Sequence, residues 1–175
     1  MILNKIKKCI LVFLIVIVFF LIQSCSLFPG NFVMPNLLLI LTSLLGFMGG
    51  KKYGMYIGFI SGLLIDIFFG NILGFNAVIY MYIGYINGFF NKLFFDDQFL
   101  LPVGLVLGSD FVYNFIYYIF KFLLRNKLDF SFYLLHVIIP EIVMTAVVTL
   151  IFYKLIYIFY DRVLAEEKRS ELNFG

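Results

Sequence analysis

Apolar stretches follow one another along this chain with almost no polar sequence between them, and that pattern decides what it can fold into. The run from Ile10 to Ile22, for example, contains no charged or polar side chain. In hydrocarbon every backbone N–H and C=O must be satisfied internally, which for stretches of this kind means helices. A helical crossing needs about 20 apolar residues. The sequence accommodates six of them, near residues 9–28, 32–50, 53–69, 72–90, 99–124 and 140–160. The breaks carry turn chemistry: Pro29-Gly30-Asn31, Gly49-Gly50-Lys51-Lys52, Gly70-Asn71, Asp96-Asp97-Gln98 and Arg125-Asn126-Lys127. The expectation is an all-α integral membrane protein, a six-helix transmembrane bundle. It forms a single domain over residues 1–160, followed by a charged cytoplasmic tail at 161–175. Such short connections make neighbouring helices antiparallel.

Composition removes the competing classes. Hydrophobic residues make up 63% of the chain and charged ones 13%, against about 45–50% and about 25% in ordinary globular domains. The net charge of +3 is not gathered into a cluster that nucleic acid would need. Cys9 and Cys25 lie sixteen positions apart on one apolar stretch, too far along a helix for a disulfide. With His136 the single histidine, a histidine-based metal centre or a Ser-His-Asp triad is not expected. Asp66, Asp110 and Glu141 fall on different spans and at different depths, so no catalytic, cofactor or metal site is assigned.

Lysine and arginine set the orientation, because short cytoplasmic loops retain positive charge. Lys5, Lys7 and Lys8 place the N-terminus inside. Six crossings then put Lys51, Lys52, Lys92, Lys154, Arg162, Lys168 and Arg169 on that side, and leave Lys121, Arg125 and Lys127 outside. Both termini are therefore expected in the cytoplasm, with the protein multi-pass in the membrane. An alternative for the N-terminus is a cleaved lipoprotein signal ending at Cys25, although Ile22 and Gln23 fit such a site poorly.

The third span carries Gly54, Gly58, Gly62 and Asp66 at four-residue intervals, continuing into Gly70 and Gly74. At 3.6 residues per turn the series drifts by about 40° per step, so its helical members share one face. Small residues on one face let helices approach closely in lipid. The stripe is thus a helix-packing surface or an interface for a partner's helix. Asp66 is costly in a membrane and is a functional candidate for that reason. It would otherwise be satisfied at the end of its helix by water or by Lys121 or Arg125.

On the fifth span Asp110, Asn114, Tyr117 and Lys121 form one polar stripe, which must face the bundle interior, a cavity or another helix. Gly104 and Gly108 on the same span suggest a second close-packing face. Residues 130–139 read as a short interfacial segment, and Pro140-Glu141 as a helix first turn, with the acid favoured by the helix dipole.

Pro35-Asn36-Leu37, Gly58-Phe59, Gly62-Leu63-Leu64, Asp66, Gly70, Leu73-Gly74, Asn76-Ala77, Gly84-Tyr85 and Gly88, in that order, resemble the pattern of MreD, the rod shape-determining membrane protein family of bacteria. Asn36 departs from it, standing where the family usually carries an acid. The resemblance implies a non-enzymatic scaffold subunit of the cell-elongation machinery, supporting cell shape and lateral peptidoglycan synthesis. It implies binding to MreC and, through it, linkage to MreB, RodA and a penicillin-binding transpeptidase. It also implies a fold similar to the membrane substrate-binding subunit of energy-coupling-factor transporters. That last likeness keeps a second function open, a small-molecule or vitamin transporter subunit. No broken span or internal duplication supports transport in the sequence itself.

Overall fold

The structure is a computed structural model that describes residues 2–25, 35–70, 72–93, 100–121 and 133–172. Among them six α-helices and no strand occur. They are α1 (Ile2–Ser24), α2 (Leu37–Gly49), α3 (Lys51–Phe69), α4 (Phe75–Asn87), α5 (Leu100–Lys121) and α6 (Ile139–Leu172). A 3-10 segment, Gly88–Leu93, extends α4, and a π-helical turn, Leu134–Ile138, leads into α6.

Helix α2 is the core. Every residue from Leu38 to Met48 is buried, as expected of a helix that is apolar all round and enclosed by others. Helices α1, α3, α4, α5 and α6 all pack against it. Its ends are fixed by local sequence: Pro35 precedes it, and Gly50 stops it with φ +87°, a left-handed conformation suited to glycine. On the other side of α2, Val12, Val16, Phe19 and Phe20 of α1 and Val148 and Ile156 of α6 complete the buried apolar cluster.

Helix lengths depart from six equal crossings. Three stretches are long and apolar enough to span a bilayer: Lys51–Phe69, Leu100–Phe120 and Leu134–Ile156. Helices α2 and α4 have 13 residues each, about 20 Å at 1.5 Å per residue, short of a hydrocarbon core of about 30 Å. The 3-10 extension brings α4 to roughly 30 Å. The segment near 130–139 is helical where it is described: its π-helical turn is continuous with α6. Glu141 consequently does not stand at a free helix start. The helical backbone of α6 continues through the charged tail to Leu172.

Candidate functional site

The glycine stripe of α3 is closed from within the molecule. A Cβ at Gly58 would run into the Tyr80 carbonyl, and one at Gly54 into the Gly84 carbonyl. At Gly62 it would lie 2.5 Å from both the Ala77 Cα and the Asn76 carbonyl oxygen. These obstacles are backbone atoms of α4, which no side-chain rotation can move aside. A Cβ at Gly46 would come within 2.8 Å of the Gly84 carbonyl oxygen and 3.3 Å of Gly54 Cα, so α2, α3 and α4 meet at one glycine-lined contact. Along Gly54, Gly58 and Gly62 this face of α3 lies against α4.

Asp66 ends the same stripe and is 3% exposed. Its Oδ1 accepts from the Asn76 backbone N–H at 3.1 Å and the Asn76 side-chain amide at 2.9 Å. Oδ2 accepts from the N–H groups of Gly74 at 3.0 Å and Ala77 at 2.9 Å. The first N–H groups of a helix have no partner within it, and a side-chain oxygen normally caps them from the residue just before. Here that residue is Gly74, with φ +99° and no side chain to offer, and Asp66 supplies the cap from the preceding helix. Its negative charge also suits the positive end of the helix dipole. Gly70 permits the return of the chain, since a Cβ there would lie 2.7 Å from Asp66 Cα. The Tyr113 hydroxyl donates to Asn76 Oδ1 at 3.1 Å, tying α5 to the same cap. Four N–H donors thus satisfy Asp66. The side chain of Lys121, and Arg125 and Lys127 entirely, lie outside the described residues.

The polar stripe of α5 turns toward α6. Asp110 is fully buried, and its Oδ2 accepts from the Thr145 hydroxyl at 3.0 Å. One turn on, Asn114 is buried and its amide donates to the Asp110 carbonyl at 3.1 Å. Thr149 continues the seam by donating to the Thr145 carbonyl at 2.6 Å. Glu141, one turn before Thr145, is also buried. The Tyr117 ring lies among aromatics, 6.2 Å from Phe75 and 5.9 Å from Tyr113 between centroids. Among the described residues Gly104 and Gly108 form no close-packed face. Both are exposed, and an added Cβ would have no described atom within 4 Å.

Three polar contacts were not foreseen from the sequence. Gln23 of α1 accepts from the Leu38 N–H at 3.1 Å and donates to Asn36 Oδ1 at 3.3 Å, capping α2. At the other end of α2 the Asn91 amide donates to the carbonyls of Phe47 at 2.8 Å and Met48 at 2.6 Å. Asn87 donates to Ser109 Oγ at 2.8 Å, joining α4 to α5. The available signal was a lone amide at the end of an apolar run, where helix termini leave unpaired groups. Elsewhere, Ile15, Phe19, Leu41, Leu45, Phe152, Leu155 and Ile156 line a groove that presents almost no polar surface. Among the described residues no group of three or more His, Cys, Asp or Glu could hold a metal ion.

Comparison with known families matches the chain to the rod shape-determining protein MreD over residues 5–163. No curated protein and no solved structure matches it. With most of its length covered, the chain belongs to the MreD family, a family of membrane proteins with a role in rod shape determination.

Proposed function

We propose that this protein is a non-enzymatic scaffold of the cell-elongation complex in the bacterial inner membrane, crossing it six times with both termini in the cytoplasm. In this reading it binds MreC and, through it, is linked to MreB, RodA and a penicillin-binding transpeptidase, supporting lateral peptidoglycan synthesis. The observation that carries the proposal is the family match over residues 5–163. The structure adds a physical reason why a scaffold suits the chain. The contact of α2, α3 and α4 is backbone against backbone through Gly46, Gly54, Gly58, Gly62 and Gly84, and its polar ends are pinned by Asp66, Gln23 and Asn91. Such a body has no slack for a large internal rearrangement, since packed cores resist continuous deformation.

What partners would meet is the remaining outer surface, which includes the exposed Gly104 and Gly108 and the exposed Phe111, Val112 and Phe115 on α5. The bundle is proposed to resemble the membrane substrate-binding subunit of energy-coupling-factor transporters in helix arrangement, without serving as one. Depletion of the protein should round the cells, and re-expression should restore rods. Co-purification of MreC from detergent extracts checks the partnership. Cells that keep their shape on depletion and regain growth with an added vitamin would replace this function with transport.

A further inference from the structure

The seam between α5 and α6 holds polar chemistry that neither helix packing nor the scaffold role uses. Asp110 is 0% exposed and Glu141 is 8% exposed. The hydrogen bond from Thr145 to Asp110 fixes the register of the two helices at 3.0 Å. Glu141 lies one turn before Thr145 and Asn114 one turn after Asp110, so this register sets Glu141 against Asn114. The two carboxylates therefore lie in the same seam, offset along it by about one helical turn.

Two further atoms point to an occupant. Asp110 Oδ1 is buried and has no hydrogen-bond partner, although Oδ2 of the same carboxylate is bonded. The Tyr80 hydroxyl of α4 is also fully buried and unpartnered; Asn36 lies beside it without reaching hydrogen-bond geometry. The Tyr80 ring packs edge-on against Tyr113, which directly precedes Asn114 on α5, with centroids 5.6 Å apart. A buried polar atom with no partner costs free energy that native structures normally avoid by admitting a water or an ion. The groups that bond the two acids, Thr145 and Asn114, are neutral and offset none of their charge. The π-helical turn Leu134–Ile138 directly precedes Pro140-Glu141, and such insertions in a helix often accompany functional sites.

We propose that this seam binds one alkali metal cation, coordinated by the carboxylates of Asp110 and Glu141 with the Tyr80 hydroxyl at its edge. The donors are all oxygen, which suits a hard cation and not a thiophilic metal. Two acids in one low-dielectric seam repel each other, and a cation between them relieves that repulsion. The seam offers few oxygens beyond these carboxylates, which suits a monovalent ion better than a divalent one that requires about six or more oxygen ligands. The ion would hold α5 to α6. This site is independent of which proteins the outer surface binds.

The test uses the full-length protein purified in detergent and transferred to choline chloride at neutral pH. Thermal unfolding followed by circular dichroism is then compared on adding sodium, potassium or lithium chloride at constant ionic strength. The expected result is a saturable rise of several degrees in Tm with at least one alkali cation and none with choline, because binding to the folded state alone stabilises it. Asp110→Asn and Glu141→Gln should each abolish the rise while keeping the helical spectrum. Equal melting in choline and in every alkali salt would overturn the proposal and leave the seam neutralised by protons. A rise that persists in both variants would overturn it by placing the ion elsewhere. Should the variants not fold, equilibrium dialysis of the wild-type protein with radioactive sodium and rubidium decides: about one ion per chain is expected, and no bound ion would overturn it.

Discussion

Asp66 Oδ1 holds Asn76 twice, by its backbone N–H at 3.1 Å and by its side-chain amide at 2.9 Å. Because Oδ2 takes two more N–H donors, from Gly74 and Ala77, both carboxylate oxygens are committed. Asparagine has one acceptor oxygen and would turn an NH2 group toward N–H donors. Asp66→Asn should therefore destabilise by about 1–3 kcal/mol, and Asp66→Leu by at least as much, since buried donors are left unpaired. Thermal unfolding in detergent measures both. Wild-type stability of Asp66→Asn would show that the cap tolerates a neutral side chain.

Two sets of glycines should respond in opposite ways. Gly58→Ala puts a methyl group into the Tyr80 carbonyl, and overpacking of this kind costs about 1–3 kcal/mol. Gly108→Ala meets open space and should stay within about 0.5 kcal/mol of wild type. Steady-state abundance in membranes, read by blotting, provides the comparison; equal abundance of the two variants contradicts the packing described for α3 and α4.

Gln23 predicts the fate of the N-terminus. Cleavage before Cys25 would remove the cap on Leu38 N–H together with Val16, Phe19 and Phe20 from the core. The mature protein should keep α1, and Gln23→Ala should lose about 1 kcal/mol through the missing cap. Intact-mass spectrometry distinguishes a chain that retains α1 from a shortened, lipid-bearing one.

Orientation is accessible to reporter fusions. The distribution of lysine and arginine predicts that a fusion after Gly175 is active only as a cytoplasmic reporter, and one after Arg125 only as a periplasmic reporter. The reverse pair would overturn the six-crossing arrangement.

Helices and the glycine stripe were legible in the sequence because apolar length and four-residue spacing are local signals. Asp66 was legible as an unusual residue, but its partners were not: that its oxygens reach Gly74, Asn76 and Ala77 depends on the chain reversing at Gly70. Asp110 and Glu141 were read as separate positions, one on a stripe and one at a helix start. Only the packing of α5 on α6 brings them to the same seam. The lengths of α2 and α4 were overestimated for a similar reason. Hydropathy continues past Asn36 and Gly74, whereas the helices begin only beyond them.

The hydrogen bonds of the two buried aspartates differ in sequence reach, and this has a consequence for biogenesis. Asp66 finds Asn76 ten residues later, whereas Asp110 finds Thr145 only 35 residues later. During synthesis α3 and α4 can therefore leave the insertion channel as a pair, the acid of the first already masked by the start of the second. Helix α5 must wait, its acid unmatched, until α6 has been made. The second half of the chain is thus the part whose insertion depends on a delay, and pausing or truncation between these helices should strand it where the first half would already be home.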